Sequence, residues 1–422
     1  MFCGGCARDN ALVAALRRQG VSVLMTPLYT PLHVDESDQS VGTPIFFGGI
    51  SVYLEQKYAW FRTLPRWMRR WLDTPALLRA VSSFATKTQP SELGDLTVSM
   101  LKGSDGFQAS ELDPLVEWLR TQQRPDVICL SNILLGGLAG RLRRDLGVPV
   151  VSYLQGEDYF LDGLPTGQRA EAWRLASGCA KQLEMLIAPS RFYASTMARR
   201  LGLGEERIRV VYNGIHPEGY EPGLDETHPP TLGYFARLCP EKGLGLAVDT
   251  FLELRKQPRF GALRFHAGGS CTGGDVAYVA SLRSRLEEAG AGAFVRFETN
   301  VDRATKIRLL QGMNVFCTPA TYGEAFGLYV LEALACGVPV VAPRVAAFPE
   351  LAERIPGMVL ADATPSSLAA AIAPLLDEPR RAREMGRLGR ECVLSDFSME
   401  RMAHETSDLY RWLANESGGA MR

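Results

Sequence analysis

The sequence lacks the features that mark membrane-spanning, secreted and nucleic-acid-binding proteins. Nowhere in its 422 residues is there an uncharged apolar run of the about 18 to 20 residues that a transmembrane helix needs. A net charge of −1 shows no excess of cationic residues, so nothing indicates nucleic-acid binding. The first residues lack the basic, apolar and small-residue succession of a signal peptide. We therefore expect an ordinary globular protein.

The cysteines indicate a reducing compartment and predict no metal site. They number nine and are scattered singly, which favours the cytoplasm over a disulfide framework. One run, Cys3-Gly4-Gly5-Cys6, has the spacing of half a zinc site, but no second pair or histidine cluster accompanies it. The acidic run Asp35-Glu36-Ser37-Asp38 lies in a polar stretch and is interpreted as solvated.

Length and periodicity predict two α/β domains. A chain of 422 residues exceeds what one hydrophobic core usually supports. Apolar runs typical of buried strands alternate with helical patterns in both halves, which implies parallel sheets flanked by helices. A proline-rich segment without periodicity separates the halves. The predicted parts are residues 1–217, a linker at 218–230, residues 231–396 and a final helix at 397–416.

The strand predictions fix which loops can bind a ligand, because ligands of parallel sheets bind beyond the carboxyl ends of the strands. A long helical stretch is predicted to end near residue 87. In the first half the predicted strands are residues 21–26, 44–47, 52–54, 127–130, 148–154, 186–188 and 208–212. In the second half they include residues 231–235, 263–267, 315–317 and 338–342.

Two glutamates eight positions apart, Glu324 and Glu332, fall on one predicted helix after strand 315–317. A helix N-terminus carries a partial positive charge and unsatisfied N–H groups, so it can hold a phosphate or orient hydroxyls. The helix dipole alone also favours a glutamate near a helix start, and most mid-helix glutamates are solvated. Glu332, however, lies in a helix that is apolar almost all round, where a charge should be paired or bound. The amides predicted at this helix N-terminus belong to Ala325, Phe326, Gly327 and Leu328.

Two cations follow the strand predicted at 231–235. Arg237 and Lys242, five residues apart, can clamp a diphosphate, whose charge is compact. As ordinary surface residues they would need no ligand, but loops in this position often carry function. The glycines Gly268 and Gly269 follow the strand predicted at 263–267 and would admit the close approach of a ligand.

These motifs together resemble glycosyltransferase family 4, whose members are retaining glycosyltransferases of the GT-B fold. Residues 236–243 read Ala-Arg-Leu-Cys-Pro-Glu-Lys-Gly, similar to the family's Gly-Arg-Leu-x-Pro-Glu-Lys-Gly. The pair Glu324 and Glu332 matches the family's Glu-x7-Glu signature. Supporting matches are Asn-Gly-Ile at 213–215 and Gly-Val-Pro-Val-Val-Ala at 337–342. The resemblance covers nearly the whole chain.

The resemblance implies two Rossmann-like domains whose parallel sheets face each other across a cleft. The first would be the acceptor side, the second would bind a nucleoside diphosphate sugar, and the final helix would return toward the first. A hexosyl unit would pass to an unknown glycan, lipid or small-molecule acceptor with retention of anomeric configuration. No cofactor is implied, because the nucleotide sugar is a substrate, and no metal is needed.

The resemblance also assigns roles to residues. Arg237, Lys242 and Glu324 would be catalytic, the first two by stabilising the leaving diphosphate, and Glu332 would bind ribose. The residues implied to bind the donor are Gly4, Gly5, Gln155, Arg237, Lys242, Gly268, Glu324, Ala325, Phe326, Gly327, Leu328 and Glu332.

Two other functions stay open. A GT-B phosphorylase or nucleotide-sugar hydrolase would use the same site with phosphate or water as the acceptor. A non-catalytic glycan- or nucleotide-binding scaffold would need the binding residues alone. The intact set Arg237, Lys242, Glu324 and Glu332 argues against a scaffold.

The chain departs from the family pattern in three places. Gln155 stands where the family commonly has histidine, so any role that needs an imidazole is excluded. Ala346 and Ala347 replace the usual Gly-Gly before Pro349, so that loop is expected to differ in shape. The chain also starts at the first glycine loop, which predicts that a start of about 10 to 15 residues, a strand and turn, lies upstream.

A tryptophan- and arginine-rich segment gives the only indication of a surface partner. Trp60, Trp67 and Trp71 are interleaved with four arginines at partly helical spacing. An amphipathic helix packed on its own domain is the commonest origin of such a stripe. An acceptor-binding lid, or peripheral contact with the inner face of the membrane, is the alternative.

Overall fold

The computed structural model describes residues 4–29, 34, 36–47, 51, 54–55, 58, 61, 90–223 and 229–419. Three features of the sequence lie outside these residues: the tryptophan-rich segment 60–71 apart from Phe61, the helix predicted to end near residue 87, and Cys3 with Asp35. The chain divides into two compact units. The first is built on Cys3–Tyr212 with Ala403–Arg422, and the second mainly on Asn213–Met402.

The first unit contains a parallel sheet in the order β1-β2-β3-β4. Its described strands confirm the predictions at 127–130, 148–154, 186–188 and 208–212, and they are β1 Ile128–Leu130, β2 Val150–Tyr153, β3 Met185–Ala188 and β4 Ile208–Val210. All four residues of β2 are buried, as expected of a strand covered on both faces. The described helices of this unit are α1 Gly4–Arg18, α2 Pro90–Leu101, α3 Ala109–Trp118, α4 Ala139–Leu146, α5 Glu157–Asp162, α6 Thr166–Gln182 and α7 Arg191–Leu201.

The strands predicted at 21–26 and 44–47 were wrong, since both segments are irregular. An extended segment becomes a strand only when a neighbour supplies backbone partners. Here side chains take that place: the Arg17 guanidinium donates to the Val23 carbonyl at 3.1 Å, and the Thr43 hydroxyl donates to the Met25 carbonyl at 3.0 Å. Residues 21–26 are partly or fully exposed, and of residues 44–47 only Phe47 is buried, so these apolar runs indicated neither strand pairing nor burial in a core. Of the strand predicted at 52–54, only residue 54 is described, and it is helical.

The last helix, α15 Met399–Gly419, brings its later residues into the first unit. There the Thr406 hydroxyl lies 2.9 Å from the Tyr153 hydroxyl, and both groups are buried. A hydrogen bond between residues so far apart in the chain ties the carboxyl end of β2 to the end of the protein. In the part of the chain that the structure describes, no helix is long and apolar enough to span a bilayer.

The second unit contains a six-stranded parallel sheet in the order β10-β9-β8-β5-β6-β7. Its strands are β5 Thr231–Phe235, β6 Arg264–Gly269, β7 Val295–Thr299, β8 Val315–Cys317, β9 Val340–Pro343 and β10 Met358–Ala361. The helices between them are α8 Leu244–Arg255, α9 Val276–Glu288, α10 Arg303–Gln311, α11 Leu328–Ala335, α12 Phe348–Arg354, α13 Pro365–Asp377 and α14 Pro379–Asp396. A continuous core that includes Phe251 and Phe265 packs beneath this sheet.

The pairing of β5 with β8 positions the candidate site. Leu232 lies beside Val315 and Gly233 beside Phe316, in parallel register. Carboxyl ends of parallel strands meet at one edge, so the loop after β5 and the loop after β8 become neighbours. These loops carry the residues that the sequence marked, Arg237 and Lys242 on one and Glu324 on the other.

The loop before α12 holds an alanine in a conformation that suits glycine. Ala346 has φ 56°, in the left-handed region, where a Cβ costs about 1 to 2 kcal/mol. Its neighbour Ala347 donates its N–H to the Glu324 carbonyl at 3.3 Å, which fixes the loop against the site. The alanine thus keeps a backbone shape that glycine would adopt without strain.

Replacing this alanine tests the strain. Ala346→Gly should raise the free energy of unfolding by up to about 1 kcal/mol, because the strain relieved exceeds the added freedom of the unfolded chain. Ala370→Gly, the same change on the exposed face of α13, should lower it by about 1 kcal/mol. Urea unfolding of both variants measures the sign of each change in the free energy of unfolding. A loss of stability at both positions would contradict the strained backbone of Ala346.

Candidate functional site

The loop that follows β5 is held in shape by a buried tyrosine hydroxyl. Tyr234 is fully buried, and its Oη lies 3.1 Å from the Arg237 carbonyl and 3.3 Å from the Lys242 carbonyl. Burial raises the pKa of Tyr234 well above its usual value, so the hydroxyl keeps its proton and remains a donor. The backbones of the two cations predicted to clamp a diphosphate therefore converge on one hydroxyl.

The same loop is locked onto the loop that follows β8. Gly243 has φ 74°, and a Cβ there would lie 1.9 Å from the Pro319 carbonyl oxygen. Nearby, the Thr321 N–H donates to the Glu241 carbonyl at 3.2 Å. Only a glycine permits so close an approach of two backbones. The geometry explains why a glycine follows Lys242.

Lys242 and Glu324 form the centre of the site. Their Nζ and Oε2 atoms are 2.6 Å apart, and their side chains are 22% and 10% exposed. The hydroxyls of Tyr322 and Tyr329 each lie 2.9 Å from the same Oε2. Lys242 Nζ also contacts the Tyr322 hydroxyl and lies 4.7 Å from the centre of its ring. One carboxylate oxygen therefore accepts from an ammonium and two phenols.

Tyr329 is a half-buried tyrosine beside Glu324. Burial, followed by the charge of Glu324, raises the pKa of its hydroxyl well above the usual value. The group is therefore a permanent donor that fixes the orientation of the carboxylate. All three of these contacts, from the ammonium and the two phenols, are made by Glu324 Oε2, and among the described residues Oε1 has no hydrogen-bond partner, so it keeps its capacity as an acceptor.

The sequence predicted Glu324 at the start of the helix, but in the structure Glu324 lies before the helix. The helix α11 begins at Leu328, and Gly327 before it has φ 87° and ψ 66°. A left-handed residue cannot continue a right-handed helix, so no helix can run through residue 327. Ala325 and Phe326 precede the helix and are buried, at 6% and 2% exposure. Of the predicted N-terminal amides, only that of Leu328 belongs to α11.

Glu332 lies in α11 and is already paired, which confirms the expectation for a charge in an apolar helix. The Lys306 ammonium lies 2.6 Å from its Oε1, and the Tyr220 hydroxyl donates to the same oxygen at 3.1 Å. Burial and the nearby Glu332 raise the pKa of Tyr220, which holds that hydroxyl as a donor. The carboxylate keeps a second oxygen for a ligand.

Arg237 is the least constrained cation of the site. Its guanidinium is 3.6 Å from the Glu241 carboxylate and 3.8 Å from that of Asp275, beyond ordinary hydrogen-bond length. The side chain is 45% exposed. Among the described residues it therefore has loose partners that an anion can replace at low cost.

The predicted glycine turn after β6 is part of the strand. Gly268 and Gly269 pair with β7, and the space beside them is taken by their own chain. A Cβ on Gly268 would lie 2.7 Å from the Phe235 ring, and one on Gly269 would lie 1.7 Å from the Ala236 carbonyl. These glycines make room for the end of β5, so the predicted ligand approach is not what requires them.

The remaining predicted donor-binding residues lie together in the first unit. Gly4 opens α1, and a Cβ on Gly5 would lie 2.1 Å from Gln155 Oε1. Gln155 follows β2, and its side-chain amide donates to the Ser131 carbonyl. The glutamine is thus packed against the start of α1 and held by the carboxyl end of β1.

The structure brings Arg237, Lys242 and Glu324 to one edge of one sheet and adds residues that the motifs did not mark. Tyr322 and Tyr329 flank Glu324 in the sequence, so the sequence alone could have indicated them as site residues. Among the described residues no group of three or more His, Cys, Asp or Glu side chains is placed to hold a metal ion. No local sequence pattern indicated Tyr234, which contacts the loop of the two cations. None indicated Lys306 and Tyr220, which contact Glu332.

Two family models match the chain. "Glycosyltransferase Family 4" matches residues 100–218 and "Glycosyl transferases group 1" matches residues 221–391. A relative, alpha-maltose-1-phosphate synthase of Mycolicibacterium smegmatis, is 29% identical over 307 residues, which is 67% of this chain and 78% of the relative.

Solved structures show the same fold. Sucrose-phosphate synthase from Thermosynechococcus elongatus superimposes with a TM-score of 0.60 at 22% identity, over 72% of this chain and 78% of that chain. HepE from Anabaena, solved in complex with UDP-glucose, gives a TM-score of 0.59 at 18% identity, over 71% and 81% of the two chains.

Two parallel α/β sheets and these likenesses define the GT-B fold. The two family models together span most of the chain and meet near residue 220. The chain is a glycosyltransferase of the family 4 and group 1 type, since one model matches its first part and the other its second.

The close approach at Gly243 gives a direct test of the site's architecture. Gly243→Ala should lower the free energy of unfolding by about 2 to 3 kcal/mol, because the methyl group strains the backbone and meets the Pro319 carbonyl. Gly273→Ala is the matched control, since no atom lies within 4 Å of a Cβ at that position. Equal urea-unfolding midpoints for the two variants would refute the contact between the loops.

Proposed function

We propose that the protein transfers a hexosyl unit from a nucleoside diphosphate sugar to an acceptor, with retention of anomeric configuration. Family membership supports the transfer of a sugar. HepE, which shares the fold, was solved with UDP-glucose, and the Mycolicibacterium relative is a synthase of a sugar phosphate. The acceptor is a glycan, lipid or small molecule.

The observation that carries the proposal is the direct contact of Lys242 with Glu324 at the edge where β5 and β8 end. A cation beside an oriented carboxylate offers one binding group to the diphosphate of a nucleotide sugar and one to its sugar. The ammonium suits the diphosphate, and the carboxylate suits sugar hydroxyls. Arg237 adds a second cation from the same loop and can take both oxygens of a phosphate.

The contacts around Lys242 and Glu324 also allow the change of hydrogen-bond partners that donor binding requires. When a diphosphate approaches, the charge of Lys242 is shared between the phosphate and Glu324. The hydroxyls of Tyr322 and Tyr329 stay on Glu324 Oε2, so the carboxylate does not lose all its donors. Its Oε1 then accepts from a hydroxyl of the donor sugar.

Bond cleavage at the anomeric carbon places growing negative charge on the leaving diphosphate. Lys242 and Arg237 bind that charge more strongly than the ground state, which is the condition for catalysis. Both cations are held by the loop before the reaction, so little reorganisation is needed. The leaving phosphate takes the acceptor proton on the same face, and these two cations supply the charge that a metal provides elsewhere.

Glu332 is the proposed ribose ligand, through its oxygen that is not taken by Lys306 and Tyr220. Gly4, Gly5 and Gln155 remain predicted donor-binding residues. A reducing cytoplasm is the proposed location, because the nine cysteines are scattered singly along the sequence.

The test starts with a thermal-shift panel of UDP-, GDP- and ADP-sugars, since a bound donor raises the unfolding temperature. With the donor so chosen, Lys242→Gln and Glu324→Gln should each lower kcat by about a hundredfold or more. Lys256→Gln is the matched control, because Lys256 is 71% exposed and forms an ion pair with Glu253, away from the site. Release of nucleotide is the measurement, and wild-type rates in both site variants would refute the proposal.

Tyr329 gives a sharper test of how Glu324 is held. Tyr329→Phe removes one hydrogen bond to the carboxylate and should lower kcat/KM by about tenfold. In a Glu324→Gln background the same change should cost much less, because the two groups act as a unit. A tenfold loss in both backgrounds would show that the hydroxyl acts elsewhere.

A further inference from the structure

A second cationic surface lies at the opposite edge of the six-stranded sheet. It is a groove of about 410 Å³. Its polar lining residues are Thr231, Arg264, His266, Arg296, Thr305 and Arg308. Thr231 and Arg264 are the first residues of β5 and β6, so the groove is at the amino-terminal edge. The five residues of β5 separate it from the loop of Arg237 and Lys242 by roughly 13 Å.

The strand register explains why the cations share one face. Phe265 and Ala267 of β6 point into the core, so Arg264 and His266 point the other way. On the adjacent β7, Arg296 is the register partner of His266. The helix α10 packs on this face and supplies Thr305 and Arg308 from the other side. The groove is therefore built from three strands and a helix.

The groove carries more positive charge than its neighbours neutralise. Glu298 pairs with Arg296, and Asp302 caps α10 by accepting from the Thr305 N–H at 2.8 Å. Arg308 donates to the Thr305 hydroxyl at 2.8 Å, and its charge, after the hydrogen bonds from Thr305, contributes to lowering the pKa of the fully exposed Asp302 carboxyl. Arg264 forms no ion pair with any carboxylate of the described residues. Two guanidiniums are thus available to an anion.

His266 fits such a ligand. Burial lowers its pKa, and the nearby Arg296 and Arg264 lower it further, against a smaller opposing effect of Glu298. The imidazole is therefore neutral at physiological pH and offers one donor and one acceptor. An anion bound beside His266 would raise its pKa, which is opposite to the effect of Arg296 and Arg264.

We propose that this groove is a binding site for a small phosphorylated metabolite, separate from the donor site. A planar guanidinium binds a phosphate through two parallel hydrogen bonds, and Arg264 and Arg308 present two of them across the groove. Its volume falls in the range of small-molecule sites, about 300 to 1,000 Å³. The hydroxyl of Thr305 and the ring of His266 also line the groove and offer hydrogen-bonding groups for the rest of the ligand. The proposal stands independently of the donor site.

Calorimetric titration with inorganic pyrophosphate tests the site. An Arg237→Gln/Lys242→Gln background removes the other candidate phosphate site, and binding should persist there. Adding Arg264→Gln and Arg308→Gln should weaken that binding by about tenfold or more. Arg259→Gln is the matched control, an exposed arginine of the same unit that should leave it unchanged. No binding in the background, or binding that survives loss of Arg264 and Arg308, would overturn the proposal.

Histidine NMR locates the ligand without relying on affinity. The chain has five histidines, so selective labelling gives few signals, and His266→Gln identifies the one needed. Pyrophosphate should raise the pKa of His266 and shift its ring signals. An unmoved His266 signal would overturn the site. Sedimentation with vesicles containing phosphatidic acid should show no dependence on Arg264 and Arg308, and a dependence would assign the groove to a lipid headgroup instead.

Discussion

The pairing of β5 with β8 is the constraint on which the candidate site depends. The two strands are far apart in sequence, and only two register pairs, Leu232 with Val315 and Gly233 with Phe316, join them. That register brings Gly243 onto the Pro319 carbonyl and Lys242 onto Glu324. A shift by one residue would turn every side chain of a strand to the other face and separate the two charges.

The resulting ion pair between Lys242 and Glu324 destabilises the fold unless polar groups of the protein replace the hydration that both charges lose. Lys242 and Glu324 are mostly buried, and buried charges lose much of their hydration. The hydroxyls of Tyr322 and Tyr329 offset that loss for the carboxylate, and the rings of both tyrosines face the ammonium. The site is thus prepared before a ligand arrives, and in the proposed function a diphosphate would share Lys242 with Glu324.

The sequence predicted four of the six strands of the second unit, β5, β6, β8 and β9, and the three charges at its edge, because buried strands are short apolar runs and the charged motifs are local. It did not predict β7 and β10. It misplaced the start of α11, since nothing in a sequence shows that Gly327 is left-handed. It also missed Lys306 and Tyr220, which reach Glu332 from 26 and 112 residues away. The strand predicted at 21–26 failed because apolar composition does not say whether a backbone partner exists.

A crystal structure with the nucleoside diphosphate that gives the largest thermal shift tests the central claim most directly. The account predicts a phosphate oxygen within hydrogen-bond distance of Lys242 Nζ, about 3 Å, with Glu324 still held by Tyr322 and Tyr329. A diphosphate bound elsewhere, with the contact between Lys242 and Glu324 undisturbed, would contradict it.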